Sequence, residues 1–302
     1  MLAGALLILV PLFVGFAFHI NNPRLLAGIN HGVEGLVYLI LGLLGVSLGQ
    51  LEGLAGHLAR MGGQVSLLVG ALAVANLAGL WLWQRWQPMV LEPEESGEGP
   101  LSYRRLFLGA LKPLLSVVAG MLLGYAVLPA LGWIEDLASA ALMLLLLLIG
   151  LQLRNAGLSL RRLLMNRQGV GIAVTLAITS LLAGLAIAPF YDLPLLDVLA
   201  LTSGFGWYSL SGIVVGDALG PAWGGVAFLN DVFREIIALV LIPLVIGRRP
   251  AVAIGYGGAT AMDFTLPIIR RSGGLACVPV AIASGFILSF VSPILMGLFL
   301  AG

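Results

Sequence analysis

The chain has 302 residues, 60% of them hydrophobic and only 10% charged, with a net charge of +1 and a mean hydropathy of +1.08. A soluble domain, about half apolar and a quarter charged, is excluded by that balance. No basic tail or aromatic-interleaved basic patch points to nucleic acid, so the expected partner is the lipid bilayer.

Apolar runs of about 20 residues cross a hydrocarbon core of about 30 Å as helices. Such runs cover 2–20, 36–51, 65–86, 107–131, 137–153, 169–190, 198–219, 222–247, 251–269 and 275–300. The expected fold is an all-α polytopic membrane protein. The opening "MLAGALLILVPLFVGFAFHI" lacks a basic n-region and a clear small-x-small cleavage site, so it reads as a retained first helix.

Arginine placement orients the chain. Loop 154–167 carries Arg154, Arg161, Arg162 and Arg167 without an acid and is expected in the cytoplasm. Counting backwards puts Glu135 and Asp136 outside, the linker 87–106 inside, 52–64 outside, 21–35 with Arg24 inside, and the N-terminus outside. Counting forwards puts Asp192 and Asp197 outside. If every later segment spanned, ten spans would result and Arg248 and Arg249 would face outward, against the rule. If 198–220 and 250–270 instead enter and return, Arg248, Arg249, Arg270 and Arg271 all lie inside. Eight spans then remain, with both termini outside and two re-entrant or broken segments. The second arrangement agrees better with composition. "LTSGFGWYSLSG" and "GYGGATAMDFTLP" are rich in Gly, Ser, Thr and Pro, and such backbone survives at membrane depth only against protein or a cavity.

The expected division is a three-helix unit at 1–86, the cytoplasmic linker 87–106, a second three-helix unit at 107–190, and a substrate-site region at 191–302. A faint internal echo accompanies it: "LAGL" recurs at 77–80 and 182–185, Gly45 matches Gly150, and "VGFAF" (14–18) resembles "LGYAV" (123–127). Three helices per unit would invert the second copy, as in many secondary transporters. The linker, with Glu92, Glu94, Glu95 and Glu98, reads as a solvated loop. Cys277 reads as a buried free thiol, and His19, His31 and His57 have no metal-ligand spacing.

One stretch breaks the apolar pattern. In "NDVFREIIALVLIP" (230–243), Asp231, Arg234 and Glu235 fall at i, i+3 and i+4 on one helical face, with Asn230 beside them. A charged side chain at mid-bilayer costs roughly 2.5–3.5 kcal/mol on translocon scales, so these groups need partners or a function. An Asp231–Arg234 pair that merely ties helices together is one reading; Glu235 then has no obvious partner on its own helix. Asp263 in "ATAMDFTLP" is the second intramembrane acid, either a helix N-cap or a ligand group on a broken helix. "SGFGWYSLSG" (203–212) offers Ser203, Gly204, Gly206, Tyr208, Ser209 and Ser211 on irregular backbone, suited to an anionic group; Thr265 adjoins Asp263. The alternative is that Trp207 and Tyr208 are interfacial anchors and the glycines serve packing. Asn76 and Gln152 read as interhelical polar contacts.

Enzyme motifs fail on inspection. "VVGD" (214–217) and "SLSG" (209–212) each lack the first Gly of an intramembrane protease motif, and no phosphate-binding glycine loop is present. No enzymatic role and no cofactor are expected.

"GLQLRN" (150–155), "SGFGWYSLSGI" (203–213), "NDVFRE" (230–235), "ATAMDFTLP" (259–267) and "RSGG" (271–274) closely resemble the bacterial lysine exporters of the LysO type, over nearly the whole chain. The resemblance implies an inner-membrane exporter of L-lysine and its analogue thialysine, with both termini periplasmic. It also implies a pair of water-accessible intramembrane acids, which fall on Glu235 and Asp263. Ala156 and Ala261 depart from the family pattern, which bears on selectivity. Moving a cation outward against about 100 mV costs about 2.3 kcal/mol, and exchange for an incoming proton removes that cost. The expected coupling ion is therefore a proton, with self-association left open. The rival readings are a sodium-coupled symporter of organic anions and a non-transporting pore or scaffold.

Overall fold

The computed structural model describes residues 2–20, 22–51, 53–89, 102–126, 133–155, 163 and 165–301. Most of the linker 87–106 and of the loop 154–167, with Ala156, lies outside the described residues. Within them the fold is all-α. The first six helices are α1 (Leu2–Ala17), α2 (Pro23–Gly49), α3 (Leu54–Trp86), α4 (Tyr103–Ala126), α5 (Trp133–Asn155) and α6 (Arg167–Ile187). Then follow α7 (Leu195–Leu201), α8 (Tyr208–Leu219), α9 (Pro221–Val245), α10 (Pro250–Gly257), α11 (Leu266–Gly273) and α12 (Cys277–Phe299).

Six helices among the described residues are long and apolar enough to cross a membrane. Helix α9 is also long enough at 25 residues, but Asp231, Arg234 and Glu235 interrupt its apolar run. Val74, Leu115, Leu122 and Leu244 are 72%, 63%, 59% and 76% exposed. In water that would be costly; against lipid tails it is neutral, because the surrounding solvent is as apolar as the side chain.

Hydropathy marks apolar stretches, not helix ends. The expected loops 21–35 and 52–64 are mostly helical, since α2 begins at Pro23 and α3 at Leu54. At α2 the start is local chemistry: the Asn22 side chain accepts from the Arg24 and Leu25 N–H groups, and Pro23 occupies the first helical position.

Helix α1 packs on α5, α2 on α4, and α3 on α6. The first two contacts are backbone-close. A Cβ on Gly15 would run into the Leu147 carbonyl of α5, and one on Gly150 into the Leu12 carbonyl of α1. Across the other pair, Gly45 and Gly49 receive the Val117 and Met121 carbonyls, while Gly120 and Gly124 receive those of Gly42 and Val46. Without hydrophobic driving force in lipid, such close approach supplies dispersion contacts that hold helices together. Gly45 and Gly150, and likewise Gly15 and Gly124, are the residues that echo one another in sequence. Asn76 ties α3 to α6, its Oδ1 accepting from the Thr179 (2.7 Å) and Ser180 (3.1 Å) hydroxyls.

Both Gly-rich segments are interrupted helices. Residues 202–207 separate α7 from α8, and a 3-10 turn, Gly258–Met262, separates α10 from α11. The two breaks touch: the Ala259 N–H donates to the Phe205 carbonyl at 2.9 Å. Gly258, at φ +63°, leaves no room there for a Cβ, which would strike that same carbonyl. Phe205 itself sits at φ +51°, a conformation costing a bulky residue about 1–3 kcal/mol.

Gly120→Val should overfill the α2–α4 contact, destabilising the detergent-solubilised protein by roughly 1–3 kcal/mol. Gly70→Ala, inside α3 with nothing within 4 Å, should not lower the melting temperature.

Candidate functional site

Helix α9 lies against α8, α3 and α10, so its charged face meets both broken segments. The Asp231 carboxylate, 1% exposed, accepts from the Ser211 hydroxyl (2.6 Å), the Gly206 N–H (3.2 Å) and the Asn230 side-chain amide (3.0 Å). Ser211 and Gly206 flank the N-terminal end of α8, where the helix dipole is positive and unpaired N–H groups gather. Gly204 packs so tightly on Asp231 that a Cβ would overlap its Oδ2.

Arg234 turns the other way. Its Nε donates to the Tyr256 carbonyl (3.1 Å), its Nη2 to the Gly255 carbonyl (3.3 Å), and its guanidinium lies 5.4 Å from the centre of the Tyr256 ring. These carbonyls end α10, where the dipole is negative. The other end of α10 is held by Gln84 of α3, whose Oε1 accepts from the Ala251 (3.0 Å) and Val252 (3.4 Å) N–H groups. Asp231 and Arg234 therefore take different broken helices as their hydrogen-bonding partners, in place of the direct pair their spacing suggested. One acid and one base, a turn apart, clamp two opposed dipole ends.

Glu235 has no such partner. It is 2% exposed, and neither carboxylate oxygen finds a hydrogen-bonding group among the described residues. An ionised carboxylate left so would cost several kcal/mol. Asp263 behaves differently: exposed, it lines a cavity of about 480 Å³ with Val33 and Val37 of α2, Gln152 and Leu153 of α5, and Ser209 of α8. Its Oδ1 accepts from the Phe264 N–H, the next residue, and Thr265, not Asp263, precedes α11 as its N-cap residue. The carboxylate is therefore open to the cavity and is not spent on capping α11. The volume falls in the range of roughly 300–1,000 Å³ typical of small-molecule sites.

Of the other expected lining residues, Ser209 alone faces this cavity. Ser203 donates to the Leu199 carbonyl (2.7 Å), Ser211 to Asp231, and Thr265 to the Thr260 carbonyl (3.0 Å), so these hydroxyls are used inside the fold. Tyr208 packs edge-on against Phe228. Gln152 lines the cavity while donating to Asn30 at 2.8 Å. Thr260, Phe286 and Ser289 also line it; Ser289 was missed, since α12 carries Ser284, Ser289 and Ser292 and the sequence does not mark which one faces the cavity. A second cavity, about 440 Å³, lies towards the opposite end of α2 and α5, lined by Ser47, Asp136, Ser139 and Asp217.

Broken helices meeting beside buried charge, with a cavity towards either end of one helix pair, are features of multi-pass membrane transporters. A family model described as lysine exporter LysO matches residues 114–300. The chain is 41% identical over 301 residues to the "Lysine exporter LysO" of Escherichia coli strain K12, covering 100% of both. It is also 41% identical over 186 residues to the "Putative lysine exporter" of Haemophilus influenzae strain Rd, covering 62% of this chain and 95% of that relative. No solved structure matches the chain. The chain belongs to the lysine exporter LysO family, whose members are amino-acid exporters.

Asp231→Ala should leave the Ser211 hydroxyl and Gly206 N–H unpaired, costing roughly 1–3 kcal/mol for each. Asp231→Asn, which keeps an oxygen in place, should retain most of the thermal stability of the purified protein.

Proposed function

We propose that this protein exports L-lysine, and its analogue thialysine, across the bacterial inner membrane in exchange for protons, using Glu235 and Asp263. The carrying observation is the contrast on α9 and its neighbour: Asp231 and Arg234 are consumed by the fold, whereas Glu235 is buried without a partner and Asp263 opens on a cavity. Two carboxylates unclaimed by the fold are free to bind either a proton or an ammonium group. Competition between those two cations for the same oxygens produces exchange, since neither can occupy the site while the other does.

In this scheme Glu235 is walled from water and Asp263 is open to the substrate ammonium. Asp231, Asn230 and Arg234 position the two broken helices. Arginine placement puts the beginning of α2 and the end of α5 in the cytoplasm, so the cavity beside Asp263 would load from inside and the Asp217 cavity would face the periplasm. Eight spans with both termini periplasmic follow if α7–α8 and α10–α11 are each re-entrant. The matched glycine contacts of α1–α5 and α2–α4 support an inverted repeat across 1–86 and 107–190. Acids at the site favour cationic cargo over an organic anion, and insensitivity to sodium would separate the two. Family membership supports lysine as cargo.

In proteoliposomes, Glu235→Gln should abolish lysine-driven proton counterflow while the protein remains folded and monodisperse. Undiminished exchange by that variant would remove Glu235 from the mechanism.

A further inference from the structure

The cavity beside Asp263 contains a second kind of polar group that the fold leaves unused. Serines within helices ordinarily return their hydroxyl to a carbonyl three or four residues back. Ser203 and Ser284 do so, while Ser211 and Ser292 find Asp231 and the Ser203 carbonyl. Ser209 and Ser289 do neither. Ser289 is 1% exposed and Ser209 8%, both line the cavity, and neither hydroxyl has a hydrogen-bond partner among the described residues. They come from different elements, α8 and α12, and converge on one space.

Position gives these hydroxyls a polarity. Ser209 lies in the first turn of α8, where N–H groups have no intrahelical acceptor and negative charge is favoured. Ser211, two residues on and therefore about 200° around the helix, faces Asp231, so the two serines serve opposite faces of the same helix end. One wall of the cavity thus carries a carboxylate, suited to an ammonium group, and another carries hydroxyl donors at a helix N-terminus, suited to an anion. Val37, Ile149 and Phe286 supply apolar surface in the same cavity for the methylene chain of such a molecule.

We propose that Ser209 and Ser289, at the N-terminal end of α8, form the subsite for the carboxylate of an amino acid whose cationic group is taken by Asp263. This rests on the export reading and adds a reason for selectivity: the transporter recognises a basic amino acid and not merely a diamine.

The discriminating probe is cadaverine, which is lysine without its carboxylate. In proteoliposomes, wild-type protein should exchange labelled lysine, with cadaverine a weak competitor. Ser289→Ala and Ser209→Ala should each raise the half-saturating lysine concentration roughly tenfold or more, as loss of a hydrogen bond to a charged group does. Maximal rate, melting temperature and inhibition by cadaverine should stay unchanged, and Ser289→Thr should restore much of the lysine affinity. A merely structural serine would weaken lysine and cadaverine together. That result, or unaltered lysine affinity in both alanine variants, overturns the subsite while leaving export intact. Wild-type protein that exchanges no lysine overturns the export reading and the subsite with it.

Discussion

The candidate site depends on how two dipole ends at the helix breaks are neutralised, the N-terminal end of α8 and the C-terminal end of α10. Asp231 meets the positive end of α8 through Ser211 and Gly206; Arg234 meets the negative end of α10 through the Gly255 and Tyr256 carbonyls. Because both side chains leave one helical face of α9, the two breaks are held beside each other and the Phe205 carbonyl reaches the Ala259 N–H. In lipid an unsatisfied backbone group costs several kcal/mol, so irregular backbone at this depth needs such partners.

Clamping explains why three ionisable groups can be gathered in five residues. Two of them offset the cost of the broken backbone, and their own desolvation is repaid by charge-assisted hydrogen bonds. The third, Glu235, is left over. Stability alone would favour an apolar residue there, and an orphaned polar group in a close-packed interior calls for an explanation of another kind. The exchange proposed above supplies one, with Glu235 taking up a proton or a cation during the cycle.

Rigidity and openness are divided between regions. The glycine contacts of α1 with α5 and of α2 with α4 bring backbones into direct contact, leaving no slack between those helices. Yet the same α2 and α5 line both cavities, one towards each end. The walls facing them are α8 and the residues around Asp263 and α12, so both cavities lie between a glycine-packed set of helices and the broken segments.

Composition alone determined a helical membrane protein, because no other structure satisfies the backbone of apolar runs of this length. Gly, Ser, Thr and Pro content marked both broken segments, and helical spacing placed Asp231, Arg234 and Glu235 on one face. Helix ends were less legible, since α2 and α3 run on through polar residues that hydropathy treats as loop. What only the tertiary structure decided was the sorting of that face into clamp and orphan, and the placing of Ser209 and Ser289 on one cavity. Spacing along a helix fixes direction but not partner. The main partners of Asp231 and Arg234 arrive from separate segments, none reaches Glu235 among the described residues, and a carboxylate's role depends on whether one does.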